Sequence, residues 1–461
     1  MKTRDLTQGS VKKNLLYMSL PTMAGFFAQT LYDVVDMMWI GRISLEALAG
    51  VTIFATIFWL VGVLNEIIGS SSISMISQSY GEGDKEKTSR IIEQTITFKA
   101  LVAVLAGIIL MVIIKPLAIF FDSNPRVVQS VMSYGYIRIF FIPIMFSSYT
   151  VNTALRCIGD SKKPFYLMLI SSVLNIVLDP IFIFDTLPIK FGFIDFTIKG
   201  FGLGVFGAAL ATVISITIAF VIGFYFLISG KSYIKISFKG LFRLDKDIDY
   251  KLITIGLPNG VESLNRNLSN FVVMKFIGHY GSVAIAASGI GMRFMGILFM
   301  PLIGLMMGGG AIVGQNLGIN QVDRAKETAK SAAQLGVAVI ALVSVLTFIF
   351  DEQIMRMFTN VEEVISIGVP MLKVFVVGMF LLAILFGYST VFSGSGYNFP
   401  FLVSSVAGRW LAAIPFAFVA IFLLDLDIIW LWISYIVGDI MELGVIMYYY
   451  IKGDWQTKKV I

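Results

Sequence analysis

The chain has 461 residues, of which 57% are hydrophobic and only 14% charged, well below the roughly 25% charged of an ordinary soluble domain. Its single cysteine, Cys157, excludes an intrachain disulfide, and its single histidine, His279, excludes a multi-histidine metal site. The net charge of +6, in so apolar a chain, reflects basic cytoplasmic loops rather than a nucleic-acid partner.

Uncharged runs such as Ile53 to Asn65, Leu101 to Ile114 and Ser331 to Phe350 suit bilayer helices, which need about 20 apolar residues. Lipid-exposed backbone must bond to itself, which leaves helices or closed barrels, and the alternation of a barrel is absent. The chain therefore reads as an all-α polytopic membrane protein of twelve spans. They run about 14–40, 47–79, 92–120, 128–155, 164–186, 201–229, 251–277, 283–316, 327–350, 362–392, 399–424 and 428–451. The basic segment Met1 to Lys13 precedes the first span and is expected to stay in the cytoplasm.

Basic residues collect on one side of this alternation: Lys85, Lys87 and Arg90, then Arg156, Lys162 and Lys163, then Lys231 to Lys251, then Arg324, Lys326 and Lys330. The opposite side carries Arg42, Arg126, Lys190, Lys199 and Arg356. The bias puts both termini in the cytoplasm of a multi-pass cell-membrane protein. The 230–250 connection alternates basic and apolar residues and is suited to lie on an anionic leaflet.

The chain repeats itself. Pro21 recurs as Pro258, Gly41 as Gly278, Gln78 as Gln315 and Gly159 as Gly396, each pair 237 residues apart. Two pseudo-symmetric six-helix bundles follow, an N-terminal lobe at 1–229 and a C-terminal lobe at 251–461, joined by a cytoplasmic segment at 230–250. An even number of spans per repeat makes the repeat parallel, as in rocking-bundle transporters.

Acidic residues break that symmetry. Tyr32 with Asp36, and Asn175 with Asp179, are i,i+4 pairs that share a helix face inside apolar stretches. At the repeat offset Asp36 meets Val273 and Asp179 meets Pro415, so the carboxylates belong to the first lobe alone. An intramembrane carboxylate marks an ion path or substrate site by default. Two of them in a poorly hydrated pocket disfavour simultaneous ionisation, or they bind Na⁺ with further oxygens from Asn175, Tyr32 and Thr212. The competing reading has Asp36 reaching the outer interface and Asp179-Pro180 merely ending a helix.

Pro21 lies roughly four turns before Asp36 and can kink its helix. Either that bend moves with the ion, making Pro21 a hinge, or it is a fixed kink shared with Pro258. Glu262 and Arg266, an i,i+4 pair in the seventh span, are expected to neutralise each other, and Arg293, Arg409, Glu66, Asp439 and Glu442 to pair between helices. Asn152, late in the fourth span, is expected to face a substrate cavity with Tyr32 and Asp36. The Gly308-Gly309-Gly310 run reads as a close-packing surface. No P-loop sequence and no nucleophile–base set is present, so neither ATP hydrolysis nor another enzymatic reaction is expected.

Several motifs together give the chain a family resemblance: Gln29-Thr30-Leu31-Tyr32-Asp33-Val34-Val35-Asp36, Gln78-Ser79-Tyr80-Gly81, Ala154-Leu155-Arg156-Cys157-Ile158-Gly159-Asp160, Asn175 to Pro180, and Gly207 to Thr212. Over nearly its whole length the chain resembles the multidrug and toxic compound extrusion (MATE) family, on its archaeal and DinF-like branch. The resemblance implies a V-shaped fold that exports lipophilic organic cations and drugs by Na⁺ or H⁺ antiport, with no cofactor beyond that ion. It implies coupling at Asp36 and Asp179 with Tyr32, Asn152 and Asn175 around them, in a monomer embedded in the bilayer. The alternative in the same superfamily is flipping of a lipid-linked precursor. Two departures stand out: the Phe184 to Gly202 connection is longer than the family pattern, and Glu262 does not match the C-terminal-lobe carboxylate of some members.

Overall fold

Runs of some twenty apolar residues, punctuated by Gly, Asn and Pro, dictate helices whose backbone bonds close within each segment. The structure is a computed structural model that describes residues 4–191 and 194–460, without the side chains of 187–191 and 194–196. The first three residues of the basic N-terminal segment and the Lys190 side chain lie outside the described residues.

Helices α1 (Val11–Gly41), α2 (Leu45–Gly81) and α3 (Lys85–Phe121) come first, followed by the pair α4 (Pro125–Phe140) and α5 (Ile142–Cys157). After α6 (Lys162–Ile183), strands β1 (Thr186–Phe191) and β2 (Ile194–Lys199) precede α7 (Gly204–Ile228) and the short α8 (Phe238–Leu241). The second half holds α9 (Lys246–Ile277), α10 (Ser282–Gly318), α11 (Val322–Ile349), α12 (Asp351–Arg356) and α13 (Glu362–Ser395). It ends with α14 (Phe399–Val406), a π-helical turn at Ala407–Ala413, α15 (Ile414–Phe418), a second π-helical turn at Val419–Leu423, and α16 (Ile429–Lys452).

Every expected span coincides with one of these helices or with adjoining helical pieces. Among the described residues nine are long and apolar enough to cross a membrane, and the bent pair α4–α5 makes a tenth. Helices α1 and α9 have the length, 31 and 32 residues, but carry polar residues such as Asp33, Asp36, Glu262 and Arg266 in their later halves. The chain is nearly all-helical and departs from that in one place. The connection after Phe184 folds as an antiparallel hairpin, with Thr186 opposite Lys199 and Phe191 opposite Ile194.

The repeat is visible in the helix boundaries, because α2 and α10 are offset by 237 residues at both ends. Gly159 and Gly396, one repeat apart, have φ of +84° and +74°. Only glycine adopts that left-handed backbone freely, which explains why this pair recurs. The fourth span breaks at Phe141, just before Pro143, and bends by 55°, whereas its repeat partner α13 is continuous.

Two compact units divide the chain. The first comprises Met1–Arg4, Ala24–Ser72 and Lys85–Ile253, and the second Asp5–Met23, Ile73–Asp84 and Thr254–Ile461. Helices α1, α2 and α9 thus contribute to both, and Pro21 falls just before the division of α1 at Met23.

In the first unit, Phe54, Ala103, Leu110, Tyr134 and Ile139 are core residues shared by α2, α3 and α4. The N-terminal part of α3 also holds the connecting segment by its backbone. Ser237 N–H donates to Glu93 Oε1 at 2.6 Å, Thr97 Oγ1 donates to Leu241 O at 2.6 Å, and Asp245 N–H donates to Gln94 Oε1 at 2.9 Å. Gln94 Nε2 donates to Arg243 O, and Arg90 reaches Gly240 O at 3.3 Å.

The second unit centres on α10, whose glycines let neighbours approach. A Cβ at Gly309 would stand 2.5 Å from Thr390 Cγ2, and one at Gly318 would stand 2.3 Å from Gln78 O. The close-packing reading of the glycine run is therefore correct. A similar constraint governs α11 and α13, where a Cβ on Gly387 would lie 2.3 Å from the Ala333 amide nitrogen. Gly387→Val should lower thermal stability by about 1–3 kcal/mol or more, the cost of overpacking against rigid backbone. Gly289 has nothing within 4 Å, so Gly289→Ala should be neutral or slightly stabilising. Melting of the two variants, followed by size-exclusion recovery after heating, checks the contrast.

Candidate functional site

The two acidic pairs lie in the first unit, with Tyr32 half-buried and the other three residues buried. Asp36 on α1 is 6% exposed, Asp179 and Asn175 on α6 are 0% and 1%, and Thr212 on α7 is 1%. Helices α6 and α7 pack on each other, and the α6 face that carries Asn175 and Asp179 turns inward.

Asn175 organises this group. Its amide nitrogen donates to Asp179 Oδ1 at 3.1 Å and to Thr212 Oγ1 at 3.2 Å. The Thr212 hydroxyl spends its own proton on Ala208 O at 3.0 Å, so it meets Asn175 as an acceptor. A carboxylate and a committed hydroxyl both require a donor, which fixes the amide orientation.

Asp36 and Asp179 stand within hydrogen-bonding reach of each other. Two carboxylates share a hydrogen bond only through a proton, or are bridged by a cation. Three buried oxygens, Asp36 Oδ1, Asp179 Oδ2 and Asn175 Oδ1, have no hydrogen-bond partner. Buried acceptors are almost always satisfied in a native protein; a proton shared by the two carboxylates satisfies at most two of these, and oxygens of this kind are ligands for a small cation. The group therefore fits Na⁺ as well as H⁺, with Asp36, Asp179, Asn175 and Thr212 as candidate oxygen ligands.

A cavity of about 430 Å³ opens beside it. Tyr32 and Asn152 line it as expected, with Asp33, Asn65, Arg138 and Arg156, but Asp36 and Asn175 are not among its walls. Ser172, one turn before Asn175 on α6, is the wall residue closest to it along the helix. Tyr32 stands beside Asp33 rather than pairing with Asp36.

Two residues of α4 connect the cavity with the acidic pair, and neither was visible in the sequence. Tyr134, buried, lies near Asp36. Arg138 acts electrostatically on both Asp36 and Asp33, and its guanidinium lies over the rings of Phe58 and Tyr134 at 5.7 and 5.6 Å. The available signal was a lone cation inside the fourth span, three residues before the break at Phe141. Arg156, grouped above with the loop cations, is instead 4% exposed in the last turn of α5.

The second unit treats its charges differently. Arg266 contacts Glu262 at 2.7 Å and Glu442 at 3.2 Å, while Arg409, within the first π-helical turn, contacts Asp439 at 3.2 Å and Glu442 at 3.0 Å. The expected structural pairing holds for these five. Arg293 is exposed.

Asn175→Leu should destabilise the protein by about 1–3 kcal/mol, the cost of stranding a buried acceptor. The double variant Asn175→Leu/Asp179→Leu should recover more than 0.5 kcal/mol of coupling. Additive losses in a thermal-shift cycle would count against the hydrogen bond.

Comparison with known proteins puts this geometry in context. The model of the MatE family matches residues 21–181 and 258–419, the two halves of the repeat. A probable multidrug resistance protein YoeA of Bacillus subtilis is 27% identical over 99% of this chain and 97% of its own. A probable multidrug resistance protein NorM of Thermotoga maritima is 24% identical over 98% and 94%. An FAD transporter of Shewanella oneidensis is 24% identical over 79% and 78%. Among solved structures, a MOP superfamily transporter from Pyrococcus furiosus superimposes with a TM-score of 0.88 at 23% identity over 100% of both chains. An outward-facing multidrug resistance MATE family transporter gives the same TM-score, identity and coverage.

Proposed function

The chain belongs to the MatE family, and on that premise we propose that it is a secondary active exporter of drug-like organic compounds. Export is driven by exchange against Na⁺ or H⁺ at the carboxylates of the first unit. The observation that carries this reading is the trio of unpartnered buried oxygens on Asp36, Asp179 and Asn175. An ion-coupled carrier needs a site that is stable both empty and filled, and a ring of acceptors lacking donors favours the filled state.

Asp36 and Asp179 hold the ion in this reading, Asn175 orients Asp179 while offering its own oxygen, and Thr212 supplies a further ligand. Tyr32 and Asn152 meet the organic cargo in the cavity. Arg138 lies where an ion arriving at Asp36 alters the field on the cavity wall, which links the two sites electrostatically. Pro21 is the hinge through which the bend of α1 answers the ion. The protein works as a monomer in the cell membrane with both termini cytoplasmic.

Multidrug proteins among the relatives support organic cargo, while the FAD transporter carries an anionic aromatic molecule. Family membership therefore leaves the charge of the cargo open. The second reading, flipping of a lipid-linked precursor, is favoured by one observation: two arginines line the cavity.

Proteoliposomes loaded with a fluorescent drug decide between these readings. An imposed Na⁺ or H⁺ gradient should drive efflux, and Asp36→Asn or Asp179→Asn should reduce that dependence at least about tenfold, within the usual range of coupling free energies. Undiminished coupled efflux in both variants would remove the carboxylates from the mechanism. Transport that ignores both gradients would remove antiport and leave the flippase.

A further inference from the structure

The cavity of the first unit has a charge balance unlike that of a site for a plain lipophilic cation. Its charged wall residues are Asp33, Arg138 and Arg156. Arg138 feels the charges of Asp33 and Asp36, although its Nε has no hydrogen-bond partner. Arg156 has no such acid among the described residues. It is 4% exposed, and the contact its guanidinium makes is to the neutral Thr153 hydroxyl at 3.3 Å.

A second basic group lies close by. Lys99 on α3 is fully buried, its ammonium has no hydrogen-bond partner, and it sits 4.5 Å from the centre of the Tyr149 ring. Tyr149 is itself a wall of the cavity and feels the charge of Arg156. Glu66 also acts on Tyr149, and it is exposed. Among the described residues, this end of the cavity therefore holds a buried guanidinium and a buried lysine amine, neither of them ion-paired with a carboxylate.

A buried charge without a counter-charge is strongly unfavourable, and within a membrane-spanning segment it marks a functional site. The surrounding wall is built for a ligand. Asn65 Oδ1, Asn152 Oδ1 and Ser172 Oγ line it, buried and unpartnered. Met145, Tyr149, Asn152 and Arg156 form one stripe along α5, which spans about 17 Å at 1.5 Å per residue. The space is long and mostly apolar, and its unpaired cation stands at one end.

We propose that this cavity takes an elongated amphiphile with an anionic oxyacid group, which Arg156 neutralises by its guanidinium fork while the apolar body lies along α5. The proposal rests on reading this cavity as the cargo site of the exporter. It replaces the lipophilic cation of the sequence-based expectation with an acid.

Binding of three matched probes to the full-length protein in nanodiscs tests it, with protein-free nanodiscs as the blank. The probes are dansyl-aminoundecanoic acid, its methyl ester, and the trimethylammonium analogue of the same chain length. The acid should bind about tenfold or more tighter than the other two, the scale of a charge-assisted hydrogen bond. Arg156→Gln should abolish that preference while still binding the ester, which also reports that the variant is folded. Arg156→Lys should retain most of the preference.

Equal or tighter binding of the ester or the ammonium probe by the wild-type protein would overturn the proposal. So would an Arg156→Gln variant that loses all three probes alike. No ion gradient enters this assay. A protein that prefers the acid yet shows no coupled efflux fails as an antiporter and keeps its anionic cargo, whereas one that couples and prefers the ammonium probe does the reverse.

Discussion

A charge placed among hydrocarbon must find its opposite nearby or be costly to hold, and the two units meet that constraint in opposite ways. In the second unit Arg266 and Arg409 each sit between two carboxylates and share Glu442. Five charges are absorbed into one interhelical network. In the first unit Asn175 ties Asp179 to Thr212 and leaves oxygens on three residues open. Similar helical frames thus carry a closed network in one unit and an unfinished one in the other. The unfinished one is where an exchangeable ion has something to gain.

Most of the architecture could be read from residue order, because a bilayer helix is specified by length and polarity alone. The repeat added the pairing of halves, and glycines such as Gly159 and Gly396 mark it since their backbone permits little else. What escaped were features with no side-chain signature. The π-helical turns near Arg409 shift backbone bonds by one residue without changing the apolar pattern. The β1–β2 hairpin lay within a stretch whose length was noticed but whose alternation was too short to distinguish from a loop.

At the site, legibility followed the i,i+4 rule. Asn175 and Asp179 were legible because both members of the pair sit on one helix. Tyr32 and Asp36 were legible for the same reason, although Tyr32 serves the cavity and turns to Asp33. Lys99 meets Tyr149, and Arg138 meets Phe58 and the acids, only through tertiary packing, and the one local contact of Arg138, over the Tyr134 ring, carries no charge to announce it. Arg156 was misread for a different reason. At the end of a span, composition does not separate the last buried turn of a helix from the first residue of a loop.

The hold of α3 on the connecting segment has a consequence for how the chain is tethered. A free linker behaves as a random coil whose reach grows with its length. Here Glu93, Gln94 and Thr97 fasten Ser237, Leu241 and Asp245, and α9 begins at the very next residue, Lys246. The connector is a splint with no slack. Extra residues inserted between Ser237 and Asp245 would not lengthen a leash; they would have to bulge outward between fixed clamps.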